Sequence, residues 1–194
     1  MDLSLPAILG IVRYSVQNPR AAARDLLALG LPDVARWCLL AFVATASALF
    51  THILFNMLPP AEMAFMANAM SSPVRTAIVQ SAALLITVLA VYHVGRWRGG
   101  KGSFRDALLL IGWLQFILLL LQTAQIAAFL IMPPLAEIIG LMGIVLSLYL
   151  LVQFIAELHG FQSGWRVLFA VFGTIFVVSF GVSLVIAMMM GTGA

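Results

Sequence analysis

Few side chains in this sequence carry chemistry, and those that do fall into a handful of spacings. Glu137 and Glu157 are the carboxylates at the two limits of one uncharged run, and carboxylates inside a membrane invite a proton relay. Twenty helical residues separate them, however, which is about 30 Å, one hydrocarbon thickness. They read first as the two ends of a spanning helix, with an intramembrane catalytic or relay role as the alternative. Gln153 lies one turn before Glu157, within reach of its carboxylate.

Gln115 and Gln122 are seven residues apart and Gln125 is one turn further, so the three share a helical face. Amides in oil need partners, so the face turns toward other helices, with Gln80 and Ser81 as candidate partners, or else lines a polar path for ions or headgroups. His52, His93 and His159 have neither HExxH nor paired-ligand spacing, and His52 is expected at the membrane face opposite the other two, so no zinc site is expected. Met63, Met66 and Met70 share a face that suits Cu(I) or, equally, the greasy side of an interfacial helix. Cys38 is the only cysteine, which excludes an internal disulfide and a cysteine metal cage. There is no Ser-His-Asp grouping, intramembrane aspartate pair or Rossmann glycine pattern. An enzyme is not supported, no catalytic residue is assigned, and no metal or cofactor is expected.

The elements that hold these residues follow from composition. Of 194 residues, 63% are hydrophobic and 9% charged, with a mean hydropathy of +1.12. Ten basic and seven acidic side chains cannot coat such a body in water, so the bilayer must be the coat. The uncharged gaps between charges enclose five spans of about 20 residues each. Their cores are placed at Trp37–Leu58, Val74–Gly95, Asp106–Ile131, Leu135–Ala156 and Trp165–Met189, broken by Pro59-Pro60, Gly99-Gly100, Pro133-Pro134 and the turn from His159 to Gly164. No period-two alternation suggests a barrel, so the spans are helices. The expected fold is all-α: a polytopic membrane protein with five transmembrane helices (residues 34–194) preceded by N-terminal interfacial helices (residues 1–33).

Small residues line two faces: Ala41, Ala44 and Ala48 on the first span, and Gly140, Gly143 and Ser147 on the fourth. Such faces allow close backbone approach within the bundle or to a second copy.

Charge position sets orientation. Arg13, Arg20, Arg24 and Arg36 precede the first span, Arg96, Arg98, Lys101 and Arg105 lie between the second and third, and Arg166 opens the fifth, whereas the alternate side holds only Arg75. The positive-inside rule then places the N-terminus in the cytoplasm and the C-terminus outside. Asp2 stands where a secretory signal carries basic residues, so no cleaved signal is expected. The net charge of +3 is too small to suggest nucleic-acid binding.

Within residues 1–33, Leu5, Ile8, Leu9, Val12 and Val16 recur at helical spacing, too short to span but suited to lie on a membrane. Asn18-Pro19 reads as an N-cap followed by a proline that restarts the helix, which Gly30 and Pro32 end. Arg20 and Arg24 are one turn apart on this second piece. Anionic headgroups would favour them by about 1 kcal/mol each; they serve as topology signals and anchors, or as a docking surface for a partner.

The stretch GRWRGGKGSFRDALLLIGWLQ, with Gly95, Gly99, Gly100, Gly102, Phe104, Ala107 and Trp113-Leu114-Gln115, resembles the loop and third helix of bacterial Yip1-family membrane proteins. VRYSVQNPRAAARDLLALGLP, from Val12 to Pro32, resembles the lead segment of the same branch, so the likeness covers nearly the whole chain. It implies a compact five-helix integral membrane protein with a cytosolic N-terminus. Eukaryotic relatives are associated with Rab GTPases and vesicle traffic, but this chain lacks their long hydrophilic region, and their Asp-Leu-Tyr and Gly-Tyr motifs have no clear counterpart here. The arginine-rich, lysine-poor usage suits a bacterial source and an inner-membrane location.

The loop glycines let the backbone turn tightly and approach headgroups or a neighbouring helix. Arg96, Arg98, Lys101 and Arg105 around them form a topology signal or a lipid-phosphate site; their spacing is not that of a P-loop. The expected partners are membrane lipids and either a membrane protein or a second copy, with no nucleic acid. The expected role is to organise other membrane components; the rival is a small transporter, channel or lipid-moving protein using the glutamine face.

Overall fold

The computed structural model describes the backbone of residues 4–57 and 72–191. Within them the chain forms helices and no strand: α1 (Leu5–Gln17), α2 (Pro19–Ala28), α3 (Asp33–Met57), α4 (Pro73–Trp97), α5 (Phe104–Ile131), α6 (Pro133–His159) and α7 (Gly164–Gly191). Each of α3 to α7 contains a stretch long and apolar enough to cross a membrane. The protein is a polytopic all-α membrane protein, and the five expected spans fall within these helices, apart from Leu58, which lies outside the described residues.

Local chemistry sets the helix ends. Proline opens α1, α2, α4 and α6, where a missing amide hydrogen costs nothing and the fixed φ already suits the helix. Ser72 and Ser103 cap α4 and α5, their side chains accepting from the amides of Arg75 and Asp106. Asn18 stands at the N-cap of α2 as its sequence suggests, but its side chain makes no capping bond. The helix starts instead from the Asn18 carbonyl, which accepts from the Ala22 amide at 2.9 Å.

At their other ends, α4 and α6 both stop in a Schellman motif. Gly100 N–H donates to the Gly95 carbonyl and Gly99 N–H to that of Arg96, with Gly99 at φ 84°. Phe161 N–H donates to the Ala156 carbonyl and Gly160 N–H to that of Glu157, with Gly160 at φ 72°. Both turns need the left-handed region, which glycine enters without a Cβ penalty.

α5 is the central helix. Half of its most apolar stretch is buried inside the protein, against 11–28% in the other four spans. Leu108, Leu109, Leu110 and Ile111 in consecutive positions are almost inaccessible, so α5 is covered on every side over this turn by α3, α4, α6 and α2. Ala44 and Ala48 of α3 are buried in the bundle, while Ala41 is exposed. On α2, Ala23 is fully buried and joins the same core, with Val12 and Val16 of α1 packed against it, so the first two helices are tied to the spanning bundle.

α7 packs on α6 and more sparsely on α4, and it keeps Phe169, Phe172, Phe176 and Phe180 exposed. A helix with apolar residues all round is stable there only in lipid. The starts of α3, α5 and α7 and the ends of α4 and α6 share one end of the bundle. This basic end carries Arg36, Arg98, Arg105 and Arg166, together with the exposed rings of Trp97 and Trp165, the residue types that mark a membrane interface.

Candidate functional site

The glycine-rich turn after α4 is built around His159. The imidazole is buried, 3% exposed, and Gly95, Gly100 and Gly102 all face it. A Cβ at any of the three would press into the ring; at Gly102 it would lie 2.9 Å from His159 Cε1 and 2.6 Å from Leu158 Cγ. The Gly102 amide donates to His159 Nδ1 at 3.3 Å, and Nε2 lies 3.1 Å from the Val91 carbonyl. Because an amide can only donate and a carbonyl only accept, the ring is the neutral tautomer protonated on Nε2. Lys101 N–H closes the joint on the His159 carbonyl at 3.4 Å. The close approach foreseen for these glycines is to α6. Spacing gave no sign that His159 was its target, since the two lie more than fifty residues apart in sequence.

Arg20 and Arg24 of α2 face Gln153 and Glu157 of α6 in matching register. Arg20 Nε donates to Gln153 Oε1 at 2.7 Å and Arg24 Nε to Glu157 Oε1 at 2.9 Å. Both pairs advance by one turn, so the two helices run in the same sense along the contact. Gln153 therefore holds Arg20 and does not bridge to Glu157. The hydrogen bond to Glu157, followed by its charge, pushes the Arg24 guanidinium further up.

Tyr14 donates to Asp25 across the α1–α2 corner at 3.1 Å, and this bond raises the phenol above its ordinary value. Trp113 Nε1 donates to the fully buried Ser15 at 3.0 Å. Trp113 is nine residues into α5, so the corner reaches about 14 Å along the bundle from the basic end.

Of the loop cations, Arg105 pairs with Asp33 at 3.3 Å, both largely exposed. Arg36, at 9% exposure, holds Asp106 at 2.9 Å and the Leu31 carbonyl at 2.9 Å. Asp106 also accepts from the Ser103 hydroxyl at 2.6 Å. Arg96, Arg98 and Lys101 are exposed and have no acidic partner among the described residues.

The glutamine face of α5 is assembled as its spacing suggests. Gln115, Gln122 and Gln125 line a pocket of about 260 Å³ with Ser47, Gln80 and Ser147. Gln122 Nε2 donates to Thr51 at 3.2 Å, and a Cβ on Gly140 would lie 2.8 Å from Gln125 Nε2. The small face of α6 thus makes room for these amides. Ser81 is not in the lining, and the buried layer from Ala107 to Leu114 lies between this pocket and the basic end. His52 is on α3 beside Thr51, and His93 is exposed on α4 with its ring edge on Tyr92. Glu137 is exposed in α6 near its start. Met63, Met66 and Met70 lie outside the described residues.

A second cavity involves none of Gln115, Gln122 and Gln125. It measures about 830 Å³ and lies between α4, the end of α6 and α7, walled by side chains such as Ile86, Val94, Ile155, Val171 and Val178. Arg98 and Arg166 stand at its basic end with Gln162 and Ser163, and Thr87 and Thr174 lie along its length. Thr174 already donates to the Ala170 carbonyl at 2.7 Å and Thr87 to that of Ala83 at 2.8 Å, so the walls behave as apolar surface. Sequence spacing does not reveal this cavity, because its two walls are separate helices that contact each other only sparsely.

Neither a curated protein sequence nor a solved structure matches the chain. The family model of the Yip1 domain matches residues 13–187, which takes in the Arg20–Gln153 and Arg24–Glu157 contacts, the His159 joint and both walls of the cavity. The chain belongs to the Yip1 family of membrane proteins.

Proposed function

We propose that this protein works without catalysis, by binding a membrane amphiphile laterally in the cavity between α4 and α7 and so organising other components of its bilayer. The cavity carries the reading. It is ligand-sized, apolar along its walls and polar at one end, the pattern of a binding site, and α7 packs only sparsely on α4 beside it. By the charge distribution the basic end faces the cytoplasm, with the N-terminus inside and the C-terminus outside, and the composition suits a bacterial inner membrane.

The test is lipid retention. The purified protein, exchanged into mild detergent, is examined by native mass spectrometry for bound lipid. We expect retained lipid in the parent and its loss when Ala170→Trp or Ala90→Trp fills the cavity. Equal retention in parent and both folded variants, or none in any, rejects the reading.

A second reading, a transporter or channel using Gln115, Gln122 and Gln125, is favoured by the pocket that gathers them with Gln80 and Ser47. Flux in liposomes that disappears on Gln115→Leu in a folded protein would establish it; absence of flux in the parent removes it.

A further inference from the structure

We infer that the occupant of the α4–α7 cavity is a phospholipid of net negative charge, with its phosphate held between Arg98 and Arg166. The inference rests on the reading of the cavity as an amphiphile site and adds the chemistry of the headgroup.

The cations at this mouth differ from most others at the basic end. Arg24, Arg36 and Arg105 each meet a carboxylate, and Arg20 meets an amide oxygen. The carboxylates on that side are occupied in turn: Asp25 by Tyr14, Asp33 by Arg105, Asp106 by Arg36 and Ser103, and Glu157 by Arg24. Arg98 and Arg166 have no acidic partner among the described residues, yet both line the cavity. They come from different helices, Arg98 at the C-cap of α4 and Arg166 in the first turn of α7. Two exposed guanidiniums lining the polar end of one cavity offer forked donors to an anion, and a phosphate accepts from such groups in their preferred geometry. Gln162 and Ser163 at the same mouth add polar groups for the rest of a headgroup, and the start of α7 brings the positive end of its dipole.

The dimensions select a lipid over a protein helix. Along α4 the lining runs from Arg98 to Ile86, and along α7 from Arg166 to Ser179, about 18–20 Å of helix. One leaflet of a hydrocarbon core about 30 Å thick is roughly 15 Å deep, so the cavity extends from the interface to the end of an acyl chain. A spanning helix would need a wall about 30 Å long, and the lining of α4 stops at Ile86, well short of that.

The experiment titrates the full chain in detergent with phosphatidylglycerol or with phosphatidylcholine of identical acyl chains, read by native mass spectrometry and by thermal shift. Phosphatidylglycerol is expected to bind more tightly, and its advantage to fall by roughly thirtyfold in Arg98→Gln/Arg166→Gln, the scale two interfacial cations set. Arg98→Lys/Arg166→Lys should retain most of that advantage, which guards against a folding defect in the glutamine pair. Arg96→Gln/Lys101→Gln removes the same charge at the same end but outside the cavity and should leave it unchanged. Equal binding of both lipids, or an equal loss in the Arg96/Lys101 control, overturns the headgroup assignment while leaving the cavity as a lipid site. Failure of both lipids to bind, with no effect of Ala170→Trp, removes the underlying reading as well.

Discussion

Gly95 faces the imidazole of His159 so closely that a β-carbon on Gly95 would overlap the ring. The ring cannot retreat, because Gly100 and Gly102 close on it from the following turn and the Val91 carbonyl holds its far nitrogen. Gly95→Ala should therefore lower stability by about 1–3 kcal/mol or more, the range for overpacking a filled site. Gly173→Ala, in open space on α7, should cost nothing and gain slightly in helix propensity. Thermal melts in detergent decide between them; equal melting points for the two variants would refute the joint.

The spans were legible because charge and oil are separated along the chain. Pro73, Pro133 and the glycines at 99 and 160 punctuate an otherwise uncharged sequence, and helix is the form a lone strand of backbone can take in lipid. The glutamine face was legible too, since Gln115, Gln122 and Gln125 share a face by local periodicity. What the sequence did not disclose is every relation that joins distant segments: Arg24 with Glu157, Ser15 with Trp113, the three glycines with His159. Each such pair looks like an isolated polar residue until the helices are placed. Arg98 and Arg166 are the clearest case, for the sequence assigned them to two separate topology signals and the fold brings them to one cavity.

Replacing His159 by Phe keeps an aromatic ring but removes both nitrogens. The Gly102 amide then lacks its acceptor and the Val91 carbonyl its donor; a buried group left unsatisfied costs about 1–3 kcal/mol. Gly99→Ala probes the same turn by backbone alone, since an added Cβ would meet nothing within 4 Å but φ is 84°. About 1–2 kcal/mol is expected there. The double variant should be less than additive in denaturation, because either change loosens the same joint.

Arg36 and Asp106 tie the start of α3 to the start of α5. Arg36 is nearly buried while Asp106 is about one third exposed, at 34%, so Arg36→Met should cost about 2 kcal/mol, below the range for a wholly buried pair. Arg105→Met, whose pair is exposed on both sides, should shift stability by under about 0.5 kcal/mol. Paired melting curves check the ranking, and a larger loss at Arg105 would reverse it.

The Tyr14 phenol is raised by its hydrogen bond to Asp25, then by the cost of burying its charge and by the Asp25 carboxylate itself. A group whose folded value lies above its unfolded one stabilises the fold below the unfolded value, near pH 10 for tyrosine. That contribution disappears as pH rises through the folded value. Stability should thus fall at alkaline pH more steeply in the parent than in Tyr14→Phe. Phenolate absorbance should show one tyrosine of the parent titrating late and absent from the variant.

Gln122 Nε2 donates to the Thr51 hydroxyl at 3.2 Å, a side-chain bond that joins α3 to the glutamine face of α5. In a bilayer such bonds contribute modestly, about 0.6 kcal/mol on average and up to about 1.7. Gln122→Leu and Thr51→Val should each destabilise by about that much, and the double variant by little more than either alone, since removing both partners strands neither. If Gln122→Leu instead leaves stability untouched while changing ion or lipid flux in liposomes, the amide is serving a path rather than a joint. The cycle and the flux assay together therefore separate packing from passage at the same residue.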